Sequence, residues 1–178
     1  MRSRTIRTFA IGAAVAGVVP AALLAQSVPD SRLPTSTERA GLSGPRVGAT
    51  FLTTRMRDKL LADRDIKVGP VISQFGWQFE RQFLGTDGGP TAVSEWVIMV
   101  GGLDQGVFLP SLTWLVGIRT SGGREIGVGP NVTPAGVALA IAAGVTKRAG
   151  SMNIPVNLAI VPSQNGVRVS LLTGFTMR

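Results

Sequence analysis

The stretch Ser73-Gln-Phe-Gly-Trp-Gln-Phe-Glu-Arg-Gln-Phe83, SQFGWQFERQF, divides by parity. Phe75, Trp77, Phe79 and Phe83 fall on odd positions, with Arg81 among them, and Gln74, Gly76, Gln78, Glu80 and Gln82 on even ones. In an extended strand alternate side chains point to opposite faces. The segment therefore has one aromatic face and one amide-and-acid face, and the architecture turns on which of them is buried.

The same alternation recurs further along the chain. In MNIPVNLAI, Met152, Ile154, Val156, Leu158 and Ile160 share a face, opposite Asn153, Pro155, Asn157 and Ala159. In SLTWLVGIRT, Leu112, Trp114, Val116 and Ile118 alternate with Ser111, Thr113, Gly117 and Arg119. In GVRVSLLTGFTMR, Val167, Val169, Leu171, Phe175 and Met177 alternate with Arg168, Ser170, Gly174 and Thr176. Clusters of Gly, Pro, Asn and Asp separate such segments, which is the pattern of an all-β sandwich or barrel. Eight strands are expected, at about 45–54, 68–84, 91–102, 108–120, 124–130, 135–148, 151–162 and 166–177. AGVALAIAAGV (135–145) has helical character as well, but its Gly content and its neighbours favour a strand. RMRDKLLADRD (55–65) reads as a charged helical connector.

Turn chemistry predicts registers. Asn165-Gly166 is a type I′ hairpin signal, and centring on it sets Ile160 opposite Leu171 and Asn157 opposite Gly174. Centring on Ala149-Gly150 sets Val145 opposite Ile154 and Ala143 opposite Val156. A three-residue Ser121-Gly122-Gly123 loop sets Ile118 opposite Ile126 and predicts an Arg119–Glu125 cross-strand ion pair. Around Gly85–Pro90, Phe79 meets Trp96 and Glu80 meets Glu95. Two facing carboxylates repel unless Arg119 or Arg168 sits between them. In every case the bulky faces agree, so the expected fold is an eight-stranded antiparallel up-and-down (meander) β-barrel.

Composition bounds the rest. The chain has 178 residues, one domain's worth, with 44% hydrophobic and only 16% charged residues. It has no Cys, His or Tyr, which excludes disulfides, thiolate chemistry and His-based triads. MRSRTIRTFAIGAAVAGVVPAALLAQ has the basic start, apolar middle and small-residue end of a secretory signal peptide over residues 1–25. An uncleaved anchor is the alternative. The formal net charge is +8, and removing the three signal arginines leaves 15 Lys and Arg against 10 Asp and Glu, a net +5. This excess is too slight to indicate nucleic-acid binding. Residues 26–44 are Ser/Thr/Pro/Arg-rich and read as a linker or N-terminal arm. The barrel domain is expected over 45–178.

A water-facing surface should be rich in Lys and Glu. The less bulky face here is mostly Gly, Ala, Ser, Thr, Asn and Gln, which suits the narrow interior of eight strands. The bulky face then points outward, with Phe75, Trp77, Phe79, Trp96 and Trp114 meeting lipid. Gln74, Gln78, Glu80, Glu95, Arg119, Glu125 and Arg168 would line the lumen, together with Gln82, Asn153 and Asn157. In this arrangement the chain resembles the small eight-stranded outer-membrane β-barrels of Gram-negative bacteria, over roughly residues 45–178. Its last strand, with Val167, Val169, Leu171 and Phe175, is similar to theirs. The resemblance implies an exported protein in outer-membrane lipid, with a structural, adhesive or weakly pore-forming role, passing or holding a small solute at most.

The alternative is a soluble periplasmic or secreted barrel of lipocalin type, in which Phe75, Trp77 and Trp96 line a pocket for an apolar ligand. Catalysis is not expected. Lys59, Lys67 and Lys147 lack an evident Ser partner, Gly127-Val-Gly-Pro130 lacks the rest of a phosphate loop, and the carboxylates read as charges paired with Arg. No cofactor or metal is expected.

Overall fold

The computed structural model describes residues 41–85 and 88–177. The proposed signal peptide and residues 26–40 of the expected linker lie outside the described residues. The chain order is β1 (Gly44–Leu52), α1 (Thr54–Arg64), β2 (Val71–Gly85), β3 (Thr91–Gly101), a 3-10 turn (Leu103–Gln105), β4 (Leu109–Arg119), β5 (Arg124–Thr133), β6 (Gly136–Ala149), β7 (Met152–Ser163), β8 (Gly166–Gly174) and β9 (Thr176–Met177). Each strand from β1 to β8 pairs antiparallel with the next, and β1 also pairs with β8. The meander therefore closes into an eight-stranded up-and-down barrel. Closure satisfies both sides of every strand and leaves no exposed sheet edge.

The ladders fix the geometry of the ring. Beginning at Arg81, successive partners are Ser94, Val116, Val128, Ile141, Ile160, Val169, Phe51 and Val71. One circuit returns to β2 ten residues from its start, the stagger that goes with closure. With ~3.3 Å per residue and ~4.7 Å between strands, that stagger over eight strands tilts them by about 41° from the axis.

Three of the sequence expectations change. The Asn165-Gly166 hairpin turns on Gln164-Asn165, with Ser163 opposite Gly166. Ile160 thus meets Val169 and Asn157 meets Leu172. Asn165 keeps a negative φ and only Gly166 is positive, at +118°, so this is no type I′ Asn-Gly turn. The β6–β7 turn is Gly150-Ser151, with Gly150 at φ +59° in its first central position, where a type II′ turn places glycine. Val145 meets Val156, and Ala143 meets Leu158. Both registers move by two residues, so every side chain keeps its face. The last strand breaks at Phe175, and β9 continues along β7.

The remaining registers are as derived: Ile118–Ile126 and Arg119–Glu125, Phe79–Trp96 and Glu80–Glu95. Gly123, at φ +77°, ends the three-residue loop in the glycine-bulge position. Of residues 135–145, all but Ala135 lie in a strand, β6, as their Gly content implied. β5 runs past the expected end at 130. Pro130 cannot donate a ladder hydrogen bond, and the β4–β5 pairing is interrupted there, between the Thr113–Asn131 and Val116–Val128 pairs, while Pro130 keeps its register with Leu139.

The helix expected at 55–65 is α1. Met56 and Leu60 are buried with Leu52, Val68, Ile72 and Leu109, so α1 covers one end of the barrel with an apolar cluster. Its outer side carries an exposed Lys59–Asp63 pair. The turns at 120–123 and 150–151 mark the opposite end.

Candidate functional site

The interior divides into two levels. At the opposite end Arg119 is the hub. Its Nη1 and Nη2 donate to the two oxygens of Glu80 at 2.5 and 2.6 Å, a bidentate pair. Nη2 also reaches Glu95 Oε1 at 3.2 Å. Nε donates to Glu125 Oε2 at 2.7 Å, with a further contact from Nη2. One guanidinium thus holds three carboxylates that β2, β3 and β5 place side by side, and Glu95 is only 1% exposed. Beside it Arg46 is fully buried. It donates to Gln78 Oε1 at 3.0 Å, Leu42 O at 2.6 Å and Pro45 O at 3.0 Å. Ser43 Oγ accepts from the Glu80 backbone at 2.9 Å, so the end of the expected linker is already tied to the barrel.

The level nearer α1 is different. An internal cavity of about 90 Å³ is walled by apolar side chains, among them Val97, Met99, Leu115, Ala140, Ala142 and Val161. Its polar rim includes Gln74, Thr50, Ser170, Asn131 and Arg168. Thr50 Oγ1 donates to Gln74 Oε1 at 2.7 Å and lies 2.6 Å from Ser170 Oγ. Arg168 donates to Asn131 Oδ1 at 2.8 Å and Thr133 Oγ1 at 2.7 Å. Asn131 Nδ2 in turn donates to Ser111 Oγ at 2.9 Å and Thr113 Oγ1 at 2.8 Å.

The structure accordingly brings Glu80, Glu95, Arg119 and Glu125 together, with Gln78 beside them on Arg46. Gln74 and Arg168 belong to the α1-end cavity, and Asn157 also borders it. Gln82 Nε2 lies 3.3 Å from Glu80 Oε1, and Asn153 is buried with its Nδ2 unpartnered among the described residues. Phe75, Trp77, Phe79, Trp96 and Trp114 lie on the outer face, each 40–51% exposed. Trp96 stacks on Trp114 at 5.8 Å between ring centroids, and Trp77 lies 6.4 Å from Phe79. Trp114 Nε1 donates to Ser94 Oγ at 2.9 Å.

Sequence reasoning missed Arg46, Asn131 and the apolar cavity. Arg46 sits next to Pro45 at the start of β1, on the parity opposite Val47 and Phe51, and that alternation was not used. Asn131 lay beyond the strand as drawn. The cavity did leave a signal: Trp96-Val-Ile-Met-Val100 is apolar without alternation, the mark of a strand apolar on both faces. Val97 and Met99 line the interior while Trp96 and Ile98 face out.

Fold and interior together define a closed β-barrel with an ionic network at one end and an apolar, arginine-bearing cavity at the other. Compared with protein-family models, curated proteins and solved structures, the chain matches none.

Proposed function

We propose that this chain is an exported, non-enzymatic β-barrel of the bacterial outer membrane, with a structural or adhesive role and a blocked lumen. One observation carries the reading: the polarity of the barrel is that of a lipid-embedded one. Its outer positions bear exposed Phe, Trp, Val, Ile and Leu on all eight strands of the ring, while Arg46, Glu80, Glu95, Arg119 and Arg168 are buried within. A barrel in water gains by the reverse placement. An exposed apolar surface of this extent needs a covering, and lipid supplies one.

Dimensions support the same reading. β3 and β4 each have 11 residues. At ~3.3 Å per residue and a tilt of about 41°, they span about 27 Å along the axis, against an apolar band of ~25 Å in barrels of this kind. The outward charges Arg81, Arg124 and Lys147 sit near the opposite end of their strands, where long side chains reach headgroups. The blocked lumen follows from the Arg119 and Arg46 networks at one end and from α1 at the other. Arg119 is hydrogen-bonded to all three carboxylates, which argues against their serving as an acid–base pair.

The test is fractionation of the expressed protein, with carbonate washing followed by detergent. Retention in the outer membrane until detergent is added is the expected result. Recovery in the soluble periplasmic fraction would sink the proposal. A lipocalin-type pocket lined by Phe75, Trp77 and Trp96 is contradicted, since all three face outward. In water that face would need a covering protein surface.

A further inference from the structure

Arg168 is a cation without a counterion. It is 9% exposed, and its hydrogen bonds go to an amide and a hydroxyl, both neutral. No carboxylate pairs with it among the described residues, and its Nε is buried with no partner. Burying a charge is costly unless it is paired, and Arg119 shows how this barrel pairs one. Arg168 instead borders the 90 Å³ cavity. Asn131 and Thr133 hold two of its nitrogens from β5, across the lumen, so the guanidinium is fixed in place.

We propose that this cavity is a binding site for a small carboxylate with an apolar tail, its headgroup paired with Arg168. A guanidinium matches a carboxylate fork to fork. The tail is set by the walls: Val97, Met99, Leu115, Ala140, Ala142 and Val161 offer dispersion contacts and no hydrogen bonds to a polar chain. The cavity is small, about 90 Å³ against roughly 150 Å³ for a cavity that takes benzene, so the ligand is a short one, of six carbons at most. α1 covers the site through Met56 and Leu60, so exchange requires that cap to move. The site is independent of what the outer belt meets, because every residue it uses faces inward.

The test is calorimetric titration of the full chain with hexanoate in phosphatidylcholine vesicles, with protein-free vesicles as blank, or in buffer should the chain prove soluble. Saturable one-site binding is expected. Hexanol, of the same length without the charge, should bind at least tenfold more weakly. Arg168→Gln should weaken hexanoate at least tenfold. Ala142→Leu, which fills the cavity and leaves Arg168 in place, should abolish binding and carries the test if Arg168→Gln does not fold. Equal affinity for hexanol, undiminished binding by either variant, displacement by chloride at equal concentration, or no saturable binding at all would each overturn the proposal.

Discussion

Arg119 shows what one side chain contributes to this interior. Glu80, Glu95 and Glu125 converge because β2, β3 and β5 present inward positions at one level, with Arg119 on β4 between β3 and β5. Without the guanidinium that convergence is repulsive. Arg119→Met should cost about 3–5 kcal/mol, since it leaves buried charges unpaired; urea unfolding would measure it. Adding Glu95→Gln should restore part of the loss, and a double variant no better than the single would show that repulsion is not the cause. The facing glutamates and their rescuing arginine were legible because Gly85–Pro90 and Ser121–Gly123 fix two registers on adjacent hairpins. Which arginine does the rescue was not: Arg168 lies on the same face but at the other level, and only the ring's stagger separates them. A second residue-scale effect lies at the α1 end, between β2 and the 3-10 turn. Ser73 Oγ donates to Asp104 Oδ1 at 2.6 Å, and this bond, ahead of its other causes, holds the Asp104 carboxyl below its usual range. A depressed carboxylate contributes stability above its unfolded pKa of ~3.9 and loses it as pH falls through the lower folded value. Ser73→Ala should move the Asp104 titration midpoint upward, read by NMR of its side-chain carboxyl carbon.

At the scale of elements, Gly129 on β5 leaves no room for a side chain against β4. A Cβ there would lie 1.8 Å from the Trp114 carbonyl oxygen, which is backbone and cannot step aside. Gly127 is two residues away on the same inward face, and its Cβ would meet nothing nearer than 3.5 Å. Gly129→Ala should therefore destabilise by at least about 1–3 kcal/mol, and Gly127→Ala by much less. Paired unfolding curves decide it, and equal losses would mean that the Trp114 carbonyl is not the cause, since glycine-to-alanine replacement by itself lowers the entropy of the unfolded chain and favours folding. Nothing in the sequence ranks these two glycines, because the difference lies in how near the Trp114 carbonyl comes, which only the folded pairing sets. Turn type was similarly half visible. Ser121-Gly122-Gly123 admits one tight loop, and its register was readable to the residue. Gln164-Asn165-Gly166 and Ala149-Gly150-Ser151 each allow two centres, and the chain takes the one that moves the register by two. The faces survive that error because the period of a strand is two, which is why architecture was more legible than pairing.

For the molecule as a whole, the decisive quantity is the medium that the outer belt meets. Val128 stands near the middle of β5, flanked by Val116 on β4 and Ile141 on β6, with no charge on the outward face around it. If that surface meets lipid, Val128→Arg puts a cation near the bilayer midplane at a cost of about 2–4 kcal/mol. The same replacement at Ile126, about 5 Å nearer the edge of the belt, should cost less by the same depth rule. In water neither residue has a membrane depth, and both substitutions exchange an exposed apolar side chain for a solvated one, typically within ±0.5 kcal/mol. Reversible unfolding of the two variants in lipid vesicles and in detergent-free buffer thus separates the environments. A gradient from Val128 to Ile126 places the belt in lipid. Two flat, near-zero values place it in water, and the aromatic face of SQFGWQFERQF would then have to be covered by another protein surface.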